Sequence, residues 1–360
     1  MNRDNLLSLY ERLTKLVEKL PGGLQKPVLS ELVPIRELFL EQRPARIVIL
    51  GGTGKSVPEF FRFAAGVSVE TGGSDNAWRI YRVPDRGEIL ILDARSDTPQ
   101  AVVEAALSRL TPDGALLLAE SPDEEAAVEL AAARMAACPK ETPLVGISLG
   151  GESSRARLAA LLSGDREFSK RRVTVCAPEA GDSVAEAVCA VLPNAARLEF
   201  ARLTGAKEAQ AQIAGSLLKS FTAVCGVIGL QPIPLADMPV LTTLQTLMVG
   251  LIIYTTGKPV TARMFGEFLG ALGLNIGAGI LFREGARAII RIVPVWGNAV
   301  SGMIAGAGTF AIGRAAIAYF VEDLPISESR KLFHRLLPGW DSFKRRRLPI
   351  LTRDKKDGGK

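Results

Sequence analysis

The residues best suited to chemistry form a glycine-rich run that ends in Lys-Ser. The apolar stretch Ile47–Leu50 predicts a short strand. Directly after it come Gly51, Gly52, Thr53, Gly54, Lys55 and Ser56. In a phosphate-binding loop, backbone N–H groups surround the phosphates, the Lys reaches them and the Ser holds Mg²⁺. We therefore predict these six residues as a nucleotide-binding loop; the alternative is a tight strand-to-helix turn with an incidental Lys.

Two further residues could complete a magnesium site with Ser56. Asp93 follows the apolar run Ile89–Leu92, and Thr71 stands in a Gly- and Ser-rich segment. Carboxylate and hydroxyl oxygens are the ligands that Mg²⁺ prefers. The predicted metal ligands are therefore Ser56, Thr71 and Asp93. As alternatives, Asp93 could cap a helix or form a turn, and Thr71 could belong to an ordinary flexible loop.

No other catalytic constellation accompanies this loop. Only two residues separate Gly51 from Gly54, whereas a complete loop has four between its first Gly and the Gly-Lys-Ser. The segment Ser148–Glu152 follows an apolar run but carries no Asn-Lys-x-Asp for guanine recognition. His334 is the single histidine, and no nucleophile or metal-type spacing surrounds it. We therefore predict no catalytic residue.

The elements that would position the loop are strands that alternate with helices. The apolar runs are Ile47–Leu50, Trp78–Val83, Glu88–Leu92, Ala115–Ala119, Leu144–Ile147 and Val173–Cys176. Helical patterns fall near Val57–Ala65, Pro99–Leu110, Glu124–Ala137, Ser154–Leu162 and Ser183–Leu192. This alternation predicts an α/β fold with a mainly parallel sheet covered by helices on both faces. Because no helix separates the second and third runs, we expect one hairpin and one antiparallel strand.

Composition divides the chain into five segments. They are an N-terminal helical hairpin (1–44), the α/β domain (45–194), a bridging helix (195–230), a hydrophobic all-α domain rich in Gly and Ala (231–325) and a basic tail (326–360). The second helix of the hairpin is expected from about Val28 to Leu40, because Pro21-Gly22-Gly23 interrupts the helical pattern.

The helical domain contains stretches long enough to approach the thickness of a bilayer. No charged residue occurs in Met238–Gly257 or Ile292–Gly313, and Phe268–Phe282 is a shorter uncharged stretch. A transmembrane helix needs about 20 apolar residues. We expect membrane association through 238–257, 264–282 and 292–321. The alternative is a soluble Gly/Ala-rich bundle that forms the core of a homo-oligomer.

The positive charge of the protein is local. The net charge is +6, and residues 341–360 contribute +5 of it through eight Lys or Arg against three Asp. This localisation argues against a nucleic-acid-binding face on the folded body and favours a tail that anchors to an acidic surface or membrane. Met1-Asn2-Arg3-Asp4 leads into a charged helix rather than a signal peptide, and the four cysteines are scattered, so we expect a reducing, cytoplasmic environment.

Residues 46–192 resemble the Era-like branch of bacterial P-loop GTPases. The matching pieces are Gly54-Lys55-Ser56, the segment Thr71–Pro84 and Leu92-Asp93-Ala94-Arg95-Ser96, where relatives have a Leu-Asp-Thr-Arg-Gly type sequence. Residues 231–322 resemble the helical domain of unknown function 697, which is often fused behind such GTPases. This second match rests on Pro232–Asp237, Leu241-Thr242, Gln245, Pro294–Asn298, Thr309 and Gly313.

The resemblance implies a GTPase-type switch joined to a membrane-associated helical module, with GTP and Mg²⁺ as cofactors, or none. The shortened loop, Ser96 in place of the γ-phosphate-sensing Gly and the missing Asn-Lys-x-Asp indicate impaired or absent hydrolysis. Our leading hypothesis is a pseudo-GTPase scaffold or regulatory protein on the cytoplasmic face of the bacterial inner membrane. The alternatives are a slow GTP or ATP hydrolase that uses Lys55, Ser56 and Asp93, and a soluble oligomeric interaction protein.

Overall fold

The computed structural model forms two compact units. The described residues are 11, 14–15, 17–18, 22–51, 56–75, 77–84, 86–95, 97–120, 123–178, 183–229, 237–272 and 298–337. The first unit comprises Met1–Glu18, Leu32–Ser216 and Ile253–Pro259, and the second comprises Lys19–Glu31, Leu217–Ile252 and Val260–Lys360. The first unit is α/β, and the described elements of the second are helices.

A seven-stranded, mainly parallel sheet lies at the centre of the first unit. Its strands are β1 (Ala45–Gly51), β2 (Glu70–Asp75), β3 (Trp78–Val83), β4 (Gly87–Asp93), β5 (Gly114–Ala119), β6 (Leu144–Ser148) and β7 (Val173–Cys176). They lie in the order β2-β3-β4-β1-β5-β6-β7. The pairs from β4 through β1, β5 and β6 to β7 are parallel, while β3 is antiparallel to both β2 and β4. The predicted single antiparallel strand is therefore confirmed, but it takes part in two hairpins, β2–β3 and β3–β4, where one was predicted.

All six predicted strands are present, and one strand was not predicted. β2 has the sequence Glu-Thr-Gly-Gly-Ser-Asp, which lacks the β-branched and aromatic residues that favour strands. It forms because it pairs with β3 at the edge of the sheet, with a register shift between Thr71 and Ser74. Tertiary pairing thus overrides a weak local preference.

Helices cover both faces of this sheet. The described α-helices of the two units together are α1 (Gly22–Ile35), α2 (Val57–Ala65), α3 (Gln100–Arg109), α4 (Glu124–Met135), α5 (Gly151–Gly164), α6 (Val184–Val191), α7 (Asn194–Thr204), α8 (Lys207–Gly229), α9 (Asp237–Thr255), α10 (Ala262–Ala271), α11 (Asn298–Phe320) and α12 (Ile326–Leu336), and those that cover the sheet belong to the first unit. On one face, Val48 and Leu117 pack with buried residues of α3, α4 and α5. The alternate residues Ile47 and Ile91 are also buried, and α7 contacts β1 and β4 on that opposite face.

Two predicted helices have different bounds in the structure. The second N-terminal helix starts at Gly22, not near Val28, and continues into a π-helical turn over Arg36–Leu40. Glycine is tolerated at the start of a helix because it costs only a few tenths of a kcal/mol relative to the preferred capping residues. The predicted bridging helix is two helices, α7 and α8, because Gly205 adopts a left-handed conformation (φ +72°) and ends α7. The first predicted N-terminal helix lies mostly outside the described residues.

In the second unit, the apolar stretches predicted for a membrane correspond to closely packed helices. Segment 238–257 corresponds to α9 and 292–321 to α11, while 264–282 begins in α10 and continues beyond the described residues. A Cβ atom on Gly313 would lie 2.5 Å from Leu218 Cδ1, so α11 packs tightly there. Within the described part of the chain, α8 is the one helix long and apolar enough to cross a bilayer, and half of its apolar window is buried. A buried core helix has the same length and composition, so this is weak evidence for a span.

Candidate functional site

The carboxyl edge of the parallel strands is where an open α/β sheet binds its ligands. The chain leaves β1 toward β4 on one side and leaves β5 toward β6 on the other. The connections that follow these two neighbouring strands therefore run to opposite sides, which is the topology at which open α/β sheets bind ligands. Gly51 ends β1 and Asp93 ends β4 at this edge, with Asp93 in register with Ile49.

Gly51 occupies a position that only glycine fits. Its φ is +94°, a conformation that L side chains rarely adopt. A Cβ atom there would lie 2.0 Å from the carbonyl oxygen of Leu118, its partner on β5. The glycine that opens the predicted loop is thus required by close strand packing alone. Gly52, Thr53, Gly54 and Lys55 lie outside the described residues.

Ser56 is the N-cap of α2 and forms a complete capping box with Glu59. Its backbone N–H and its Oγ each contact the Glu59 carboxylate at 2.7 Å, and the Glu59 N–H donates to Ser56 Oγ at 3.4 Å. A phosphate at a helix N-terminus needs the N–H groups of the first turn. Here Pro58 has no N–H, and those of Ser56 and Glu59 already have partners.

The Glu59 carboxylate also carries the charge that a bound phosphate would bring. A negative charge at the first turn is favourable because it faces the positive end of the helix dipole. A second anion at the same position would be repelled by it. The Ser56 hydroxyl, predicted as a metal ligand, is engaged in this cap.

Asp93, the second predicted metal ligand, is paired with Arg95. Arg95 Nε lies 2.8 Å from Asp93 Oδ1, and Arg95 Nη2 lies 2.6 Å from Oδ2, so the pair is bidentate. The hydrogen bonds that Arg95 donates to Asp93 raise the pKa of Arg95, and partial burial opposes that shift. A bidentate guanidinium fixes a carboxylate more rigidly than a single contact does.

The segment after Asp93 is held in place by a buried arginine. Arg134, on α4, is 6% exposed and donates to the carbonyl oxygen of Thr98 at 2.6 Å and to Gln100 Oε1 at 2.6 Å. Thr98 Oγ1 in turn donates to the carbonyl oxygen of Asp93 at 2.9 Å. In a nucleotide switch the corresponding segment must be free to move. The Arg134 contacts tie the far end of this segment to α4, and the Thr98 hydrogen bond joins that end to Asp93.

The third predicted metal ligand, Thr71, is distant from the other two. The strand registers align Thr71 with Tyr81, Ile89 and Ala45, at the amino ends of β1 and β4. Four residues and two strand spacings separate it from Asp93, a distance of about 16 Å from standard strand dimensions. The described residues therefore bring Ser56 and Asp93 to one edge of the sheet but leave Thr71 near the other.

The segment after β6, where a GTPase would recognise the base, has one distinctive atom. Ser148 is fully buried, and its Oγ has no hydrogen-bond partner in the described part of the chain. The Leu149 N–H donates to the carbonyl oxygen of Ala119, and this hydrogen bond extends the pairing of β5 and β6 to their carboxyl ends. No carboxylate that could pair with a guanine edge stands within Ser148–Gly151.

Three residues that define this edge were not predicted: Glu59, Arg95 and Arg134. Glu59 could have been found, because Ser56-Val57-Pro58-Glu59 is a Ser-x-x-Glu capping box with Pro near the helix start. The Asp93–Arg95 pair and the Arg134 contacts have no local sequence signature, because they depend on how a loop and a helix meet.

The comparisons with known proteins add no family to this description. No family model matches the chain, and no curated protein matches it. Among the described residues, no group of three or more His, Cys, Asp or Glu could hold a metal ion.

Proposed function

We propose that this protein is a pseudo-GTPase: a degenerate P-loop GTPase-like α/β domain that acts as a scaffold or regulatory module without nucleotide turnover. The proposal includes the helical domain and basic tail as the means of association with the cytoplasmic face of a bacterial membrane. Three lines of support for it come from the sheet, the candidate loop and the segment after Asp93.

The sheet supports a GTPase-like ancestry for the first unit. A glycine-rich segment follows the central strand β1, and an Asp ends its neighbour β4. One antiparallel strand, β3, is joined to β4 by a hairpin. This arrangement is the one expected from the resemblance to the Era-like branch.

The observation that carries the proposal is that Ser56 and Asp93 are both engaged by the chain's own charged side chains. Glu59 supplies an anion at the start of α2, and Arg95 supplies a cation on Asp93. A nucleotide with Mg²⁺ would have to displace both interactions before it could gain its own. The exposed cap contributes about 1 kcal/mol, and the bidentate, partly buried Asp93–Arg95 pair adds to it, so nucleotide binding would have to offset both.

The test is a titration of the full-length protein with fluorescent GTP and ATP, with and without Mg²⁺. We expect no saturable binding up to about 100 μM of either nucleotide, which corresponds to less than about 5.5 kcal/mol of binding free energy. The titration is repeated with Glu59→Gln and, as a matched control, with Glu125→Gln, an exposed first-turn glutamate on α4. Neither variant should bind nucleotide tightly, because Arg95 still pairs with Asp93 in both.

Submicromolar, Mg²⁺-dependent binding by the wild-type protein would overturn the proposal if Lys55→Ala abolished it. That result would favour the slow GTP or ATP hydrolase. Lys55→Ala is the decisive variant because Lys55 is the side chain expected to reach the phosphates.

A further inference from the structure

β7 is an edge strand whose outer side has no partner strand in the described part of the chain. It pairs with β6 alone. The Leu144 N–H, on β6, donates to the carbonyl oxygen of Arg172. Because successive residues of a parallel strand direct their backbone groups to opposite sides, those of Arg172 and Thr174 face β6. Those of Val173 and Val175 face outward, so an added extended chain would find two N–H donors and two carbonyl acceptors there.

An open groove of about 680 Å³ lies beside this edge, on the face of the sheet that α5 covers. Val173 and Val175 line it and are partly exposed. The other residues along it that matter here are buried Leu162 and Phe168, and Ala156, Ala159 and Ser163 of α5. Alternate residues of a strand share one face, so the two valines offer apolar side chains and outward backbone groups together.

The amino end of this edge is positively charged. The segment that leads into β7 contains one acid, Glu167, and four bases: Arg166, Lys170, Arg171 and Arg172. Glu167 pairs with Arg171, whose side chain is only 2% exposed. The other three bases are exposed, and no carboxylate among the described residues pairs with them. An acidic partner would therefore meet three cations that lack an anion of their own.

The other end of the groove is electrically balanced. Glu152 and Arg155 line it and form an ion pair at 2.7 Å. They belong to the start of α5, which follows the carboxyl end of β6. The excess positive charge therefore lies at one end of the groove only, which gives a bound chain a preferred direction.

We propose that the outer edge of β7 and the groove beside it bind an extended, acidic peptide segment of a partner protein. The backbone of the segment pairs with Val173 and Val175, its alternate apolar side chains enter the groove, and its Asp or Glu residues meet Arg166 and Lys170. A second copy of this chain fits less well, because it brings an equally positive edge. This inference goes beyond the proposed function and does not depend on the state of the candidate loop.

The test begins with a displayed library of random peptides of about 12 residues, long enough to extend past the four residues of β7. Binders are selected on the immobilised full-length protein, synthesised, and titrated by fluorescence anisotropy. We expect sequences that carry Asp or Glu at one end and alternating apolar residues beside it. A selection that enriches no peptide, or only peptides without acidic residues, would overturn the proposal.

Amide hydrogen exchange then reports the mode of binding. A saturating selected peptide should slow exchange of the Val173 and Val175 N–H groups at least about tenfold. The Thr174 N–H, which already faces β6, should change little. Binding without protection of the two valines would contradict strand addition. Protection that appears without peptide and grows with protein concentration would show that a second copy occupies the edge, which also overturns the proposal.

A charge-reversal variant tests the acidic character of the partner. Arg166→Glu/Lys170→Glu should weaken binding of the selected peptides at least about tenfold. The matched control, Arg79→Glu/Arg109→Glu, changes the net charge equally at exposed positions outside the groove and should weaken binding by less than about twofold. Equal weakening by both variants would mean that net charge, not this edge, attracts the peptides.

A groove-filling variant tests the position of the peptide. Ala156→Trp places a large side chain at an exposed α5 position that lines the groove. Ala160→Trp places the same side chain at an exposed α5 position that does not line it. We expect Ala156→Trp to abolish peptide binding and Ala160→Trp to leave it within about twofold of wild type. Unchanged binding by Ala156→Trp would place the peptide elsewhere and overturn the proposal.

Discussion

Single side chains at the carboxyl edge of the sheet carry the charges that a ligand would otherwise supply. Glu59 provides an anion at the start of α2, and Arg95 provides a cation on Asp93. Such pairs satisfy the local backbone and carboxylate groups without any bound molecule. A nucleotide changes the conformation of a protein only if it binds one conformation more tightly than another. When Glu59 and Arg95 already pair with Ser56 and Asp93, the nucleotide gains little from binding this conformation.

At residue scale, Gly51→Ala should destabilise the protein by about 2–4 kcal/mol. The added Cβ would meet the Leu118 carbonyl oxygen at 2.0 Å, and the φ of +94° would be strained. Urea unfolding followed by circular dichroism measures the change. Gly73→Ala is the control, because a Cβ there meets nothing within 4 Å. Similar losses in both variants would contradict the explanation.

Arg171→Ala should cost about 2–4 kcal/mol. The Arg171 side chain is 2% exposed, pairs with Glu167 and donates to carbonyl oxygens of Met135 and Cys138 at the end of α4. Its removal takes the guanidinium donor from the Cys138 carbonyl oxygen and leaves the Met135 carbonyl oxygen with the Cys138 N–H. The neighbouring Lys170→Ala, at an exposed position, should change the unfolding free energy by less than about 0.5 kcal/mol. An unfolding midpoint unchanged by Arg171→Ala would exclude this role.

Glu199 should make stability fall as pH rises above the ordinary glutamate range. Burial raises the pKa of Glu199, although the Glu88 N–H and the Gln42 amide donate to it and oppose the shift. Because the folded state holds the proton more tightly than the unfolded state, the free energy of unfolding falls as pH rises from the unfolded pKa of about 4.3 to the raised folded value. Glu199→Gln should flatten that part of the profile in urea unfolding measured at several pH values. Identical slopes in wild type and variant would refute the assignment.

At the scale of elements, α2 depends on its capping box because it is only nine residues long. Short helices gain little from propensity alone, so a cap is a large part of their stability. Ser56→Ala and Glu59→Ala should each cost about 1 kcal/mol, and the double variant should cost less than their sum. A double-mutant cycle by urea unfolding measures this coupling. Strict additivity would mean that the two side chains do not interact in solution.

A second feature at this scale is the segment formed by the last residues of α9 and the loop that follows them. Residues Ile253–Pro259 belong to the first unit, although both neighbouring helices lie mainly in the second. The Arg202 guanidinium lies 3.7 Å from the centroid of the Tyr254 ring, and Arg202 Nε donates to the carbonyl oxygen of Tyr254 at 2.9 Å. The cation–π contact and the backbone hydrogen bond together hold Tyr254 against Arg202 of α7.

At the scale of the whole molecule, the four cysteines are built-in reporters of unfolding. All are buried, and burial raises the pKa of Cys138 to about 11 and of Cys189 and Cys225 to about 12. The thiolate is the reactive form, so none should react with a thiol reagent in native buffer. All four should react after denaturation. An added surface thiol, Ser163→Cys, should react at once and serves as the control.

The same labelling distinguishes the two units. Cys225 lies in the second unit, and Cys138, Cys176 and Cys189 lie in the first. Mass spectrometry at intermediate urea concentrations reports which thiols become accessible first. Labelling of any of these cysteines in native buffer at the rate of a free thiol would contradict the buried packing described above.

The fold was more predictable than the candidate site. Strands of a sheet covered on both faces read as continuous apolar runs, so β1, β5 and β6 were visible in the sequence. The bidentate Asp93–Arg95 pair was not, because two side chains two residues apart can also point away from each other. Whether they meet depends on the turn that follows β4.

The sequence by itself determined six of the seven strands, the hairpin that joins β3 to β4 and the clustering of positive charge near the C-terminus. These follow from local periodicity and composition, which act over a few residues. Tertiary structure alone decided that β2 joins the sheet, that Ser56 and Asp93 are engaged by Glu59 and Arg95, and that Met248 on α9 and Ala315–Ala318 on α11 are buried. An apolar helix can be buried in lipid or in protein, and only the packing of distant segments distinguishes the two environments.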